Sequence, residues 1–501
     1  MRIAAVDVGS NSVHLVVVEV DDVGNQRVLA REKAMVRLAR GTATSGEIQP
    51  DSFKAGIDTL RTMAEVIRSF DCETIMACGT AALREARNAG KFLREAARVG
   101  IPIRVISGEE EARLIHQAVS HAIPFPEGAA ALVDIGGGST EITWVDGGRA
   151  VASLSLPWGV QRIADAVGGS NPPTLQDFMR LERFMRKVLK KARKGLPKGL
   201  PVPDLVLGTA GTLLDLARGA AEGTGFDRHQ LHRFQRRLWR TEAQARVDRL
   251  GVDPKRSEVL HVGASWAAAL LRWLGAAQVR VLPVGVREGM IWEAIRHGGN
   301  SIPPLADRRR ASVEALATRL DPDPGHSLHV QRLADRLFDL LQPQFELGEP
   351  EREWLGYACR LHDIGFSISE KGHHKHGAYL VRNAALQGFW AHETELIAQV
   401  VRHHRGGTPD ARKHEEFSRL APWHRQVVEK LSAIVRVADA LDRRRRQVVR
   451  AVRLVESGDA VVLVAEGTGD LRTELEALAS KGRLMARLLD RPLRFRASPG
   501  E

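Results

Sequence analysis

Cysteine is scarce in this chain of 501 residues, and long hydrophobic runs are missing. The three cysteines, Cys72, Cys78 and Cys359, are too few and too scattered for a disulfide framework or a zinc cage, so they indicate a reducing compartment. No stretch of about 18 uncharged apolar residues is present, which argues against a membrane-spanning helix. The N-terminal segment has no basic leader before a clean apolar run, so we expect no signal peptide. These absences predict a cytoplasmic protein with no membrane partner.

Two common nucleotide-binding sequences are also missing. Neither a Walker A sequence nor G-x-G-x-x-G occurs, so P-loop and Rossmann folds are not supported. Positive charge is abundant, with a formal net charge of +12, and such a field raises the local concentration of polyanions. On charge alone, the binding partner is equally compatible with nucleic acid, an acidic membrane or polyphosphate. The tryptophans have no spacing suited to base stacking, so we do not expect nucleic acid as the partner.

Two segments share one layout, in which an apolar strand is followed by a glycine turn and a second strand. The first comprises residues 3–8, 9–12 and 13–20, and the second comprises residues 131–135, 136–139 and 141–145. The turns follow Asp7 and Asp134, each in the sequence Asp-x-Gly. This repetition predicts two related α/β lobes that face a shared cleft.

Along the rest of the chain, the predicted secondary structure changes from mixed helices and strands to helices alone, followed by a short mixed segment. Helices are predicted at residues 51–70, 81–99 and 175–194, with strands near residues 74–77, 103–106 and 205–207. A break at Asn300 to Pro304 precedes residues 308–446, which are predicted as helix upon helix. Strands at residues 452–455, at 460–465 and near residue 494, with a helix at 472–489, form a small α/β cap. We therefore predict four domains, at residues 1–123, 124–300, 301–446 and 447–501.

Four glycine turns are candidate phosphate sites, at residues 7–12, 79–84, 134–141 and 208–212. Backbone N–H groups can close around phosphate oxygens there because glycine has no Cβ to block the approach. Aspartates at strand ends, such as Asp7 and Asp134, are well placed to hold magnesium, which prefers a few carboxylates together with substrate oxygens. The turns taken together predict a phosphate-binding protein with a divalent cation.

Seven segments resemble the exopolyphosphatase/guanosine pentaphosphate phosphatase family, in the family's order from residue 1 to about residue 300. They are VDVGSNS, GTAALREARN, ISGEEEARLI, VDIGGGSTEI, LPWGVQRI, GTAGT and LPVGVREGMI. That family belongs to the sugar kinase/Hsp70/actin superfamily. The resemblance therefore implies an α/β fold with two actin/Hsp70-like lobes of the ribonuclease H type.

The resemblance implies a role for particular residues. Glu111, just before the alanine of ISGEEEAR, corresponds to the catalytic glutamate that activates water. Asp134 and Glu141 would assist that water and, with Asp7, hold Mg²⁺ or Mn²⁺. The residues expected to bind phosphate are Ser10, Asn11, Ser12, Thr80, Arg84, Gly136, Gly137, Gly138, Ser139, Gly211 and Thr212.

Histidine and aspartate recur along the helical segment at intervals that suit metal ligands. They resemble the H…HD…D pattern of the HD phosphohydrolase superfamily, which implies an all-α HD-like domain holding one or two divalent metals. His326, His362, Asp363 and Asp439 would be the core ligands. His376, His403 and His404 would complete a two-metal version, whereas His329, His373 and His374 rank below them.

We predict an exopolyphosphatase, which hydrolyses the terminal phosphate of inorganic polyphosphate in a metal-dependent reaction. One alternative is a guanosine pentaphosphate 5′-phosphatase that uses the same site. Another is an HD-domain phosphohydrolase whose N-terminal half binds phosphate as a regulator. The family resemblance further implies a homodimer.

Overall fold

The computed structural model describes residues 1–21, 24–221, 223–298, 302–384, 386–405 and 407–499. The chain forms two compact units, Met1–Pro303 and Pro304–Glu501. The predicted domain boundary between Asn300 and Ser301 lies outside the described residues. The division into four domains stays a prediction.

The first sheet has the strand order β3-β2-β1-β4-β5. Its strands are β1 Arg2–Val8, β2 Ser12–Val20, β3 Gln26–Met35, β4 Thr74–Gly79 and β5 Arg104–Val105, and the helices of this lobe are α1 Thr42–Ser45, α2 Pro50–Ser69, α3 Ala81–Glu85, α4 Ala89–Arg98 and α5 Gly108–Ala122. Strand β2 runs antiparallel to β1 and β3, whereas β4 runs parallel to β1. Val6 and Ile3 of β1 belong to different hydrophobic cores, because both faces of the sheet are covered. A strand buried on both faces therefore has a nearly continuous apolar sequence.

The second sheet repeats this topology, in the order β10-β11-β9-β6-β7-β8. Its strands are β6 Ala129–Ile135, β7 Thr140–Asp146, β8 Arg149–Leu156, β9 Leu205–Thr209, β10 Gly225–Asp227 and β11 Gln278–Val281. Its helices are α6 Val160–Val167, α7 Leu175–Arg193, α8 Ala210–Ala221, α9 Arg228–Trp239, α10 Ala243–Leu250, α11 Leu260–Leu274 and α12 Val286–His297. Strands β8, β7, β6, β9 and β11 correspond to β3, β2, β1, β4 and β5 with the same relative directions. The prediction of two related ribonuclease H-type lobes is confirmed.

The second unit is helical and ends in a three-stranded sheet. Its helices are α13 Leu305–Leu320, α14 Pro324–Phe345, α15 Glu349–Leu361, α16 His373–Asn383, α17 Ala391–His403, α18 Glu415–Ser418, α19 Pro422–Leu441, α20 Arg472–Lys481 and α21 Arg483–Leu489, with a 3₁₀ turn at Ile364–Ser367, and its strands are β12 Val449–Ser457, β13 Ala460–Gly467 and β14 Leu493–Pro499. One hydrophobic core contains side chains from the helices and from this sheet, including Leu337, Val428 and Leu463. The predicted fold class, α/β followed by all-α and a small α/β cap, is confirmed, and the HD-like character of the helices stays a prediction. None of the helices in the described ranges has the length and the hydropathy needed to cross a bilayer.

Two predicted helices are interrupted. The helix expected at residues 81–99 is divided into α3 and α4, because the Asn88 side chain bonds the backbone N–H and C=O of Ile48, both at 2.9 Å. The helix expected at residues 472–489 is divided at Gly482, where a Cβ would lie 2.6 Å from the ring of Phe495. In both cases a contact distant in sequence decides where the helix ends.

Candidate active site

Two carboxylates of the second sheet lie side by side at the start of its glycine turn. Asp134 of β6 pairs directly with Glu141 of β7 in the antiparallel ladder. The Thr209 hydroxyl donates to Oδ2 of Asp134 at 2.6 Å, and the Ser155 hydroxyl donates to Oε1 of Glu141 at 2.9 Å. The hairpin thus brings together the two acids that the sequence motif separates by six residues.

Glu111 comes from the first turn of α5. The Ser107 hydroxyl caps this helix by accepting from the backbone N–H of Glu110 at 3.1 Å, and the side chain of Glu111 is buried. Nη1 of Arg84 lies 3.4 Å from Oε2 of Glu111 and donates to the carbonyl of Ile106 at 2.6 Å. Arg84, which the sequence assigns to phosphate, therefore contacts the candidate catalytic acid.

Four carboxylates share this region, two of them buried and two half-buried, and all have raised pKa values. Burial, followed by the charges of Glu141 and Asp134, raises the pKa of Glu111 well above its usual range. Burial and Asp134 raise the pKa of Glu141 to about 8. Burial also raises the pKa values of Asp7 and Asp134 to about 6. Such crowding disfavours the charged forms unless a cation lies among them.

The donor set fits a magnesium-type ion. Oδ1 of Asp7 and Oε2 of Glu141 are buried and have no hydrogen-bond partner among the described residues. Unpartnered buried carboxylate oxygens are costly, and oxygen ligands from a few carboxylates are what Mg²⁺ prefers. The residues present can therefore hold the predicted cation.

The two glycine turns that follow the aspartates lie against each other. A Cβ at Gly137 would lie 2.8 Å from Nδ2 of Asn11, and a Cβ at Gly138 would overlap the side chain of Ser10. A Cβ at Gly159 would overlap the backbone of Gly137 and Gly138. The absence of side chains at these positions lets backbone N–H groups of both lobes face one space.

That space is a cavity of about 460 Å³. Predicted residues that line it are Asp7, Ser10, Asn11, Ser12, Thr80, Glu111, Asp134, Gly136, Gly137, Gly138, Ser139, Gly211 and Thr212. Of the predicted residues of this unit, all of which are described, Glu141 and Arg84 lie outside the lining. The structure therefore brings most of the predicted phosphate and carboxylate residues together around one cavity.

Five cations line the same cavity and were missed by the sequence analysis: Arg31, Lys33, Lys255, Arg256 and Arg287. The guanidinium of Arg256 lies directly over Gly211, where a Cβ would overlap it, and its Nε is 2.9 Å from Oδ2 of Asp215. Arg31, Lys33, Lys255 and Arg256 stand outside the quoted motifs, and Arg287 lies within LPVGVREGMI, a motif from which no role was assigned to it.

A second cluster of candidate ligands lies in the helical unit. Nε2 of His326 is 3.5 Å from Oδ1 of Asp439 and 3.9 Å from Oδ2 of Asp363. Nε2 of His362 is 3.6 Å from the same Asp363 oxygen, and His326, His362 and Asp363 form a group able to hold a metal ion. Nε2 of His362 is buried without a hydrogen-bond partner in the part of the chain that is described, and Nε2 of His326 faces the carboxylates of Asp439 and Asp363, so these atoms fit a divalent metal.

A second group contains Asp363, His373 and His404. Nε2 of His373 and Nε2 of His404 lie 3.6 Å and 3.8 Å from Oδ1 of Asp363. Burial lowers the pKa of His404 to about 3, so its imidazole is neutral, as a metal ligand must be. His376 and His403, which were predicted ligands, lie outside both groups of described residues, and the ring of His403 packs instead on that of His414 at 4.8 Å between centroids.

Three further residues contact these ligands. Nδ1 of His326 is 2.8 Å from Oδ2 of Asp442, an outer carboxylate of the kind that orients a ligating histidine. Nη2 of Arg445 donates to Asp363 at 2.5 Å, and Nζ of Lys481 donates to Asp439 at 3.2 Å. The sequence analysis missed all three, because their roles depend on contacts between distant parts of the chain.

Comparison with known proteins covers both units. A sequence model described as the Ppx/GppA phosphatase family matches residues 16–297, more than half of the chain, and a model of Ppx/GppA phosphatase domain III matches residues 308–470. The crystal structure of the Aquifex aeolicus member of the Ppx/GppA family is 27% identical with a TM-score of 0.52, over 60% of this chain and 99% of that one. An exopolyphosphatase from Cytophaga hutchinsonii is 23% identical with a TM-score of 0.54, over 61% of this chain and 100% of that one, a likeness that concerns the fold alone.

Proposed function

Because the chain belongs to the Ppx/GppA phosphatase family, we propose that it is an exopolyphosphatase, which hydrolyses the terminal phosphate of inorganic polyphosphate. The observation that carries this proposal is the placement of Glu111 and Asp134 on the same cavity as the glycine turns. A carboxylate that faces the phosphorus, together with N–H groups that donate to the phosphate oxygens, suits an in-line attack of water.

In this proposal Glu111 orients the attacking water and accepts its proton. Arg84 holds the Glu111 carboxylate from one side at 3.4 Å. Backbone N–H groups of the turn at Gly136 to Ser139 bind the terminal phosphate. Mg²⁺ or Mn²⁺ held by Asp7, Asp134 and Glu141 supplies neutralisation of the charge on the phosphate oxygens when it is bound.

The cations along the cavity favour polyphosphate as the substrate. Arg31 and Lys33 of β3, together with Arg256, can neutralise phosphates beyond the terminal one. A polyphosphate chain carries charge along its whole length and has no base to recognise. The one aromatic ring among the residues that line the cavity, all of them described, belongs to His14.

Guanosine pentaphosphate is the second candidate substrate. Leu214, Val259 and Leu260 form an apolar part of the cavity lining, against which a base or a ribose can pack. Parallel hydrolysis assays with long-chain polyphosphate and guanosine pentaphosphate decide between the two. The larger kcat/KM identifies the substrate, and a preference for guanosine pentaphosphate contradicts the first proposal.

Replacing Glu111 tests the proposed reaction. Glu111→Gln keeps the size of the side chain but removes the basic oxygen, so we expect kcat for phosphate release to fall by about 10²- to 10⁴-fold. Glu109→Gln, an exposed acid in the same first turn of α5, is the matched control and is expected to retain wild-type kcat. Full activity of Glu111→Gln would exclude the proposed role of this residue.

We also propose that the helical unit holds one or two divalent metals, on the support of the two histidine and aspartate groups. If the HD-like cluster instead performs the hydrolysis, the double variant His362→Ala/Asp363→Ala loses phosphate release while Glu111→Gln keeps it. The opposite pattern supports the N-terminal site.

Cytoplasmic location and a homodimer complete the proposal. Cys72, Cys78 and Cys359 are free thiols, which supports a reducing compartment. Light scattering coupled to size-exclusion chromatography measures the mass of the oligomer directly, and the mass of a monomer would contradict the proposed dimer.

A further inference from the structure

Four polar residues occupy one row across the second sheet. Thr209 of β9, Asp134 of β6, Glu141 of β7 and Ser155 of β8 are successive partners in the ladders of four adjacent strands. Residues in such a row point to the same face of a sheet. The two carboxylates are therefore flanked on both sides by hydroxyl groups.

Each hydroxyl donates to the carboxylate beside it. Oγ1 of Thr209 is 2.6 Å from Oδ2 of Asp134, and Oγ of Ser155 is 2.9 Å from Oε1 of Glu141. A hydroxyl has one hydrogen to donate, so each bond engages one carboxylate oxygen. The second oxygen of Glu141, Oε2, is buried and makes no hydrogen bond of good geometry among the described residues, while the Ser139 hydroxyl is close enough to this carboxylate to lower its pKa.

Both hydroxyls are held firmly. Thr209 has no exposed surface, and Gly108 at the start of α5 approaches Ser155 so closely that a Cβ there would overlap its side chain. The row therefore defines which oxygen of Glu141 is engaged in a hydrogen bond and which is available to a ligand.

The first lobe has a different set of residues in the equivalent row. Asp7 of β1 lies between Cys78 of β4 and His14 of β2, and His14 pairs with Lys33 of β3. This row contains no hydroxyl beside its carboxylate and ends in a cation. The arrangement that fixes carboxylate oxygens is thus specific to the second lobe.

We infer that Thr209 and Ser155 are positioning residues for the divalent cation of the proposed reaction. Their hydroxyls orient Asp134 and Glu141 so that one oxygen of each carboxylate faces the ion. This inference rests on the proposed function, since it assigns the ion to the same site. Outer hydrogen bonds of this kind typically change metal affinity or activity by about 10- to 100-fold.

The test is direct measurement of Mn²⁺ binding by electron paramagnetic resonance on the full chain. Thr209→Val and Ser155→Ala are made in the background of His362→Ala/Asp363→Ala, so that the helical unit adds no metal signal. We expect the Kd for Mn²⁺ to rise by about 10- to 100-fold in both variants. Thr209→Ser keeps the hydroxyl and is expected to keep most of the affinity.

Ser265→Ala is the matched control, because Ser265 is a buried hydroxyl of the same lobe that bonds Gln235 and Trp239 instead of a carboxylate. It is expected to lower the melting temperature without changing the Kd for Mn²⁺. Unchanged Mn²⁺ affinity in both Thr209→Val and Ser155→Ala overturns the inference. If Thr209→Val fails to fold, the comparison of Ser155→Ala with Ser265→Ala still decides.

The two proposals fail in different ways. If the His362→Ala/Asp363→Ala protein hydrolyses polyphosphate but neither Thr209→Val nor Ser155→Ala changes its Mn²⁺ affinity, only the positioning role is contradicted. A protein that neither binds Mn²⁺ in the first unit nor releases phosphate contradicts the proposed function itself.

Discussion

At the residue scale, it costs free energy to ionise the carboxylates in and beside the cavity, because they are crowded together away from water. Glu111 and Glu141 are both buried, and each raises the cost of charging the other. The sequence motifs identified both acids. Ser155 and Arg256 lie outside the motifs, and Thr209 lies within GTAGT without an assigned role, because the local sequence does not indicate which side chain each of them contacts.

Stability should therefore depend on pH through Glu141. Its pKa is raised from 4.5 to about 8, so the folded state binds more protons than the unfolded state between these values. The free energy of unfolding contributed by this group falls as pH rises through that window. We expect the difference in melting temperature between Glu141→Gln and wild type, in chelator, to grow in favour of the variant from pH 5 to pH 8.

Added Mg²⁺ provides the control for this pH effect. A bound cation stabilises the charged carboxylates, so it should raise the wild-type melting temperature most at the upper end of the window. Melting temperatures of wild type and Glu141→Gln that change in parallel with pH would contradict the raised pKa.

At the scale of elements, the central strands β1 and β6 were predicted from the sequence, whereas the edge strands β3 and β10 were not. Strand β1 is apolar throughout because both of its faces are covered. Strand β3 has the sequence QRVLAREKAM and no buried residue, so its sequence lacks the alternation of apolar and polar residues that marks a half-buried strand. The short strand β10 is formed only by its pairing with β11. The cations Arg31 and Lys33 were missed for the same reason, since they lie on β3.

The glycine turn between β6 and β7 should depend on Gly159. An added methyl group would overlap the backbone of Gly137 and Gly138, so Gly159→Ala must displace the turn. A displacement of about 1 Å at a reacting group can lower a rate by about 10²-fold, and we expect a loss of this order in kcat/KM for phosphate release. Gly90→Ala in α4 is the control, because its Cβ would meet only the end of the Arg94 side chain at 3.6 Å. Wild-type kinetics in Gly159→Ala would mean that the turn does not bind the phosphate.

At the scale of the whole molecule, the described residues of each compact unit include a cluster of metal-type ligands. The first is rich in carboxylates and suits Mg²⁺ or Mn²⁺, whereas the second is rich in imidazole and suits manganese, iron, nickel or zinc. The matches to the family models likewise cover the two units separately. Substitutions can therefore be directed at each cluster individually.

Metal content should distinguish the ligands placed by the structure from those chosen by sequence. His373→Ala removes a side chain whose Nε2 is 3.6 Å from Asp363, so we expect less bound metal by mass spectrometry of the purified protein. His376→Ala lies outside the ligand groups of the described residues and is expected to keep the full content. Phosphate release by both variants should match wild type if hydrolysis belongs to the first unit. Loss of metal in His376→Ala alone would favour the ligand set predicted from the sequence.

The sequence by itself determined the fold class, the family and the main acids of the cavity. These could be predicted from local patterns, because the apolar strands, the glycine turns and the residues that follow them are contiguous in the chain. The tertiary structure decided which side chains meet across distance, such as Thr209 with Asp134, Arg84 with Glu111 and His373 with Asp363. Local patterns could not rank His373 above His376, because residues three apart in a helix lie on nearly the same face, and only the packing of the helices selects the one that reaches Asp363.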